Sequence, residues 1–575
     1  MMRAHYQAIF IQVNKLISYD RTQFTAYIRA MTMAMATANV RPLTTSFTPT
    51  LWADTFTTFS FDHQLQEKYG EDIEAMKKEA RVILMAATSA KLIALVDKLE
   101  RLGLAFHFEE EIQHKLQQVY DAQEQDHDLF TTALRFRLLR QHQYHVSCRV
   151  FDKFVEGDNK FKECVGSDVE GLLSLYEAAQ VRIHEENVLE EAAAFTVHRL
   201  NRILPELENS SIIKEKVQLA LNQSIHRSVV ILTVRFYISL YEGDGSTEEV
   251  LMKLAKLNFN YLQNMYKKEI SQLTRWWKEF DLKSKLPYAR DRVVESYFMG
   301  MSFRFEPQYS CVRRDVAKSV LLVTIVDDTY DNYATLEEAQ LFTDIVQRWD
   351  LKEIDVLPDC MKIVYRFIMS IFEEYKVEAA THEKPFAVPY FKEAVKQLCR
   401  AYNEELKWVM ERQMPSFEEF MRNSVIRTSV YVMYTVFAPT MKSVTQQTLQ
   451  WLLSEPKILI SICTLGRHLQ DLASHERESK EGKVLTVVDC YMKDKNATKE
   501  EALSKFGEFI ENGWKVANEE WVKKDNVVPK IFVETLVNLG RTVEVLYNND
   551  QDGFTCPEEL LAPQLTPLYV DPPLL

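Results

Sequence analysis

The sequence predicts an all-α protein built of two helical domains, and three observations carry that expectation. Glycine and proline are scarce, 14 and 17 in 575 residues, where average usage is about 7% and 5%. Turn-rich β folds spend both residues on tight connections, so their scarcity favours long helices. Apolar residues recur at three- and four-residue spacing through nearly the whole chain after Trp52, which is the spacing of one buried helix face. One polar hexapeptide with two glycines, Glu242-Gly243-Asp244-Gly245-Ser246-Thr247, interrupts that pattern and divides the chain into residues 41–245 and 246–575.

In chain order, residues 1–40 carry Arg3, Lys15, Arg21 and Arg29 against Asp20 alone, followed by a Met-Ala-Thr run from Met31 to Ala38. A basic, acid-poor leader has the charge of an organelle transit peptide; the alternative is a start at Met33 or Met35. Helical periodicity then marks Ile83 to Leu104, Val169 to Ala178 and Leu251 to Ile270, with Thr247 offering a start for the last of these. The longest apolar stretches, Ser319 to Val326 and Val430 to Met441, fall short of the ~20 residues that span a bilayer. Thr335 with Glu338 reads as a capping box. A net charge of −14 argues against a nucleic-acid footprint, which needs a basic stripe. At 46% hydrophobic and 11% aromatic residues the chain buries a core and is not disordered. Its eight cysteines form no CxxC pair, so neither a zinc site nor a disulfide framework is expected. These features together describe a soluble intracellular protein.

Chemistry concentrates in two places. Asp327-Asp328-Thr329-Tyr330-Asp331 ends an apolar stretch whose stripe Val316, Val320, Val323 runs on into Asp327 and Asp331. Two carboxylates one turn apart on a buried face need a cation, and an oxygen-rich, thiol-free pair suits Mg²⁺ with substrate phosphates. A solvated acidic helix end is the competing reading. In the second place, Gln470, Ser474 and Glu478 follow one another at four-residue steps and extend the stripe Leu459, Cys463, Arg467. One helix edge then presents an amide oxygen, a hydroxyl and a carboxylate, a spacing that an ordinary solvated face also shows. Arg290 and Arg292 flank Asp291 after Pro287, and paired guanidiniums suit phosphate recognition.

Over residues 41–575 the chain resembles the plant class I terpene synthases of the angiosperm sesquiterpene type. The resemblance rests on an ordered set of motifs: Arg41-Pro42 with Trp52, Phe136-Arg137-Leu138-Leu139-Arg140, Arg275-Trp276-Trp277, Arg290-Asp291-Arg292, Phe305-Glu306-Pro307-Gln308-Tyr309, the aspartate motif and the 470–478 motif. It implies a relict N-terminal α-barrel domain and a C-terminal metal-binding helical bundle. By resemblance, Asp327 and Asp331 on one side and Gln470, Ser474 and Glu478 on the other hold three Mg²⁺ ions, with Mn²⁺ as a substitute; Glu405 behind the aspartates joins the metal set or is a buried ion-pair partner. Arg290, Arg292 and Arg467 complete a diphosphate cradle shared with Asp327, Asp331 and Gln470. Asp328, Tyr547 and Asp552 join Asp327 and Asp331 at the reacting end. The implied reaction is ionisation of farnesyl diphosphate, cyclisation of the carbocation and proton loss, by a cytoplasmic monomer without membrane insertion. Alternatives are a monoterpene synthase using geranyl diphosphate, a chain-elongating prenyltransferase, or an inactive helical paralogue.

Five positions depart from the family pattern. Gln470 stands where Asn or Asp is usual, Met299 for tryptophan, Arg427 for a small hydroxyl residue, Phe554 for tyrosine and Glu481 for arginine. Arg427 matters most, because a charge in a carbocation pocket is costly unless it is paired.

Overall fold

The computed structural model describes residues 47–574 apart from 53, 123–127, 158–159, 210, 246, 481–485, 524–526 and 549–550; the side chains of 244 and 476–480 are also outside the description. The leader 1–40, Arg41, Glu481 and the side chain of Glu478 therefore lie outside the described residues.

The described chain is helical throughout, as the periodicity predicts, with only two two-residue hairpins among the described residues. Predicted boundaries hold where a capping side chain defines them. Helix Val169–Ala179 starts after Asp168, whose carboxylate accepts the Gly171 amide. Thr335 and Glu338 form the capping box of Leu336–Arg348. The expected continuous helix from Ile83 to Leu104 is instead two, His63–Ala86 and Ser89–Arg101. Ala87 and Thr88 are extended between them, and the exposed Ala87 carbonyl is satisfied by Lys115 Nζ at 3.0 Å. Periodicity cannot register such a break, because both helices keep an apolar stripe on the same side of the chain.

At the polar hexapeptide, helix Val230–Asp244 ends on Gly245 at φ +62°, a conformation glycine adopts without cost. The following 32-residue helix Glu249–Phe280 is capped by Glu248, one residue beyond the Thr247 expected from sequence. It packs against His63–Ala86, and one continuous apolar core runs through both halves of the chain.

Four helices position the site. Ser310–Asn332 carries the aspartates and lies against Val293–Phe303. The close approach depends on Gly300, where a Cβ would come within 2.2 Å of the Arg313 carbonyl oxygen. Ala387–Met410 flanks the aspartate helix, and Lys457–Lys480 packs on Lys499–Val522 and Lys530–Leu546. The hairpin pairing Tyr547 with Asp552 closes the end of the last of these.

Candidate active site

Helix ends and the hairpin enclose a cavity of about 260 Å³. Its lining is part apolar, with Met299, Val320, Leu406, Met433, Leu539 and Val543, and part charged, with Arg290, Asp327, Asp331, Glu405, Arg427 and Arg467. The stripe expected from sequence is present: Val316 and Val320 are buried, and the same helix delivers Asp327 and Asp331 to the cavity. A lone thiol on the wall, Cys463, is pushed up to about 12 by burial and stays protonated, so the donors at hand are hard oxygens.

The three aspartates have different surroundings. Asp328 is buried and faces Arg290, accepting its backbone N–H at 2.7 Å and its Nε at 3.0 Å. Asp327 accepts from Arg290 Nη2 at 2.8 Å and, through its other oxygen, from Arg427 Nη2 at 3.4 Å. Asp331 lies 3.7 Å from the same Arg427 nitrogen. Burial opposes the charge on Arg290, but Asp328 and Asp327 outweigh it and hold the guanidinium above the ordinary arginine range. The acidic motif is thus a neutralised cluster and not a solvated helix end.

Arg427 answers the cost expected for a charge in this place. It ends helix Phe417–Arg427, is largely buried, pairs with Glu405 as well as with both aspartates, and stacks 5.1 Å from the Tyr402 ring centre. Among the described residues no three His, Cys, Asp or Glu side chains converge as a ready ligand set; Asp327, Asp331 and Glu405 converge on this guanidinium instead.

On the opposite helix, Arg467 reaches the cavity and is oriented by Asp471, whose carboxylate accepts its Nε at 2.9 Å. Gln470 also lines the cavity. Ser474 is buried, and its Oγ has no hydrogen-bond partner among the described residues. The second carboxylate oxygen of Glu405 is likewise buried without one. Orphaned buried oxygens are costly; Ser474 is not among the cavity-lining residues whereas Glu405 is, and a hard divalent cation with its waters fits the Glu405 oxygen. The donor chemistry therefore suits Mg²⁺.

Tyr547, Asp552 and Phe554 line the cavity beside Arg290. Burial, with Asp552 adding to it, pushes the Tyr547 phenol well above its ordinary range, so it stays protonated. Asp552 accepts the backbone amides of Phe554 at 3.2 Å and Thr555 at 2.9 Å, which fixes the turn carrying both.

Arg292 takes a different place from the one expected. It is fully buried, and its donors go to the carbonyls of Thr48, Asp291, Phe554 and Thr555 at 2.8–3.1 Å. It fastens the segment at residue 48 and the 554–555 turn, and is not among the cavity-lining residues. Sequence reasoning missed Phe47, Thr555 and Asp471. Phe47 and Thr555 lie at 5.5 Å and 3.2 Å from Arg290 groups. Only Asp471 left a signal, being one turn beyond Arg467 on the same helix edge.

Residues 51–221 match the family model "Terpene synthase, N-terminal domain", and residues 278–516 match "Terpene synthase family, metal binding domain". A gamma-cadinene synthase of Ocimum basilicum is 51% identical over 93% of this chain and 98% of its own length. A gamma-curcumene synthase of Pogostemon cablin is 50% identical over 94% and 99%. The crystal structure of isoprene synthase from grey poplar leaves, in complex with three Mg²⁺ ions and dimethylallyl-S-thiolodiphosphate, superposes with a TM-score of 0.83 at 32% identity, covering 89% of this chain and 98% of that one. Two family matches in order, relatives half identical from end to end, and a cavity lined by apolar side chains, acids and arginines converge on one assignment: this chain belongs to the terpene synthase family.

Proposed function

We propose that this chain is a sesquiterpene synthase that ionises farnesyl diphosphate, cyclises the resulting carbocation and releases a sesquiterpene and diphosphate. The observation that carries the reading is one cavity lined by both apolar and charged side chains, since the substrate is itself an apolar chain with an anionic head. Arg290 and Arg467 present fixed positive charge to the diphosphate, strongest where water is excluded. When bound by Asp327, Asp331 and Glu405 and by Gln470, Ser474 and Glu478, Mg²⁺ supplies Lewis-acid stabilisation of the departing diphosphate. The number of ions proposed is three, as in the isoprene synthase complex. Val320, Leu406, Met433 and Leu539 keep water from the cation, and the rings of Tyr402, Tyr547 and Phe554 offer it their negative faces. Protonated Tyr547 beside Asp552 does not act as a strong base.

Arg292 serves this site by holding its cover in place and not by binding the diphosphate. The proposed unit is a monomer, as the family resemblance implies. Residues 41–245 are proposed as a supporting domain and 246–575 as the catalytic one. Among the described residues no helix is long and apolar enough to cross a membrane; we place the enzyme in the cytoplasm, on the Arg41-Pro42 pair that resembles the cytosolic branch, and a fluorescent fusion of residues 1–40 tests that placement. The decisive experiment offers purified protein farnesyl and geranyl diphosphate separately with Mg²⁺ and identifies the volatiles. A fifteen-carbon product from farnesyl diphosphate is expected. Turnover of geranyl diphosphate alone would make it a monoterpene synthase, and turnover of neither would make it a scaffold.

A further inference from the structure

Three carboxylates from two helices meet at one guanidinium in this cavity. Arg427 lies 3.4 Å from Asp327 and 3.7 Å from Asp331, and it pairs directly with Glu405. Without it, Asp327, Asp331 and Glu405 would lose the one cation they share, leaving Asp327 with Arg290 and Glu405 with the charge of Arg467. Like charges this close repel strongly in a partly desolvated site. Yet the pairing is incomplete: two of the contacts are long, and the buried Nε of Arg427 has no hydrogen-bond partner among the described residues. The guanidinium is held by charge more than by a full set of hydrogen bonds, which is the condition for exchanging it.

We propose that Arg427 is a resident countercation, occupying the oxygens of Asp327, Asp331 and Glu405 in the substrate-free protein and exchanged for Mg²⁺ when the site loads. The inference rests on the reading that these carboxylates bind metal. It assigns Arg427 a positioning role: it keeps the two helix ends at the separation the metal needs, and it lowers the affinity for Mg²⁺ until the diphosphate arrives. Free carboxylate clusters of this kind would otherwise collect divalent cations whether or not substrate was present. One unit of positive charge within about 4 Å of a divalent ion is a large penalty even in a high effective dielectric.

The test is made without turnover. Substrate-free wild type, Arg427→Ser and Asp327→Asn are titrated with MgCl₂ by calorimetry, and the melting temperature of each is measured with and without Mg²⁺. Arg427→Ser is expected to bind Mg²⁺ about tenfold or more tightly than wild type. It is also expected to melt lower when metal-free and to recover on adding Mg²⁺, whereas wild type responds little. Equal Mg²⁺ affinity and equal metal-free melting in wild type and Arg427→Ser overturn the proposal. Asp327→Asn separates the two layers. If it leaves Mg²⁺ binding by Arg427→Ser unchanged when the substitutions are combined, the metal reading itself falls and the inference with it. If it abolishes that binding while Arg427→Ser alone behaves as wild type, only the role of Arg427 falls. Should Arg427→Ser not fold, Arg427→Lys carries the test: it keeps the charge but loses the fork that spans three carboxylates, so an intermediate affinity is expected, and one equal to wild type counts against the proposal.

Discussion

Two groups of charged side chains in this molecule, one in the N-terminal half with its contact to the C-terminal half and one at the cavity, are finished differently. In the first, Arg140 and Glu511 sit in multiply bonded networks, although Arg227 Nε and Ser224 Oγ there also lack partners among the described residues. Arg140 donates to Glu186 at 2.7 Å through Nη1 and to the Val146 and Val181 carbonyls besides. Glu511 accepts from Arg227 at 2.6 and 2.7 Å and from Arg182 at 2.5 Å, and Asn518 spans to His226, Gln180 and Arg182. In the cavity, one Glu405 oxygen and Arg427 Nε are left without partners among the described residues. Multiply bonded networks specify a packing; an unpartnered carboxylate oxygen at a cavity leaves a position that an arriving group can take.

The largest expected effect tests the cavity side of this contrast. Asp327→Asn keeps shape and removes charge, so turnover of farnesyl diphosphate should fall by about 10³-fold, an effect of several kcal/mol, while the melting temperature moves by only about 2–4 °C. A comparable loss of activity with gross unfolding would erase the distinction between the two regions. On the other side, Arg140→Ala strands Glu186 in the core and should cost about 3–5 kcal/mol. The expected readout is a lower urea midpoint with an unchanged product profile in the protein that remains folded. Gln470→Asp sharpens the comparison within the cavity: adding an anion to the second wall should lower the Mg²⁺ concentration for half-maximal rate about threefold or more, with little change of products. Identical titrations for wild type and variant would remove residue 470 from the metal site.

The smallest effect is one of pH. Burial would raise the Glu511 carboxyl, but Arg227 and Arg182 outweigh it and hold it down to about 2 from 4.5. A depressed carboxyl stabilises the fold above its unfolded value and loses that contribution as pH falls through the folded one. Acid unfolding of wild type should therefore steepen between about pH 4.5 and 2, and Glu511→Gln, unstable already at neutral pH, should lack that arm. Circular dichroism against pH checks both.

Much of the site was legible because helical periodicity is local. Val316, Val320, Val323, Asp327 and Asp331 lie on one helix, so their shared face follows from spacing alone, and Arg467 and Gln470 follow in the same way from theirs. The motifs also marked residues that prove structural, since Arg137, Arg140 and Arg292 are consumed by buried partners. A motif records that a residue is needed and not what it touches.

By itself the sequence determined the helical class, the acidic cluster and the oxygen character of its donors, because composition, period and residue type are properties of single segments. Only the tertiary structure decided which charges meet. Arg292 turned to the carbonyls of residues 48 and 554–555, and Arg427 reached carboxylates 22, 96 and 100 positions earlier in the chain, Glu405, Asp331 and Asp327. The energy of a buried charge is set by its nearest neighbours in space, and for these two arginines those neighbours come from remote parts of the chain.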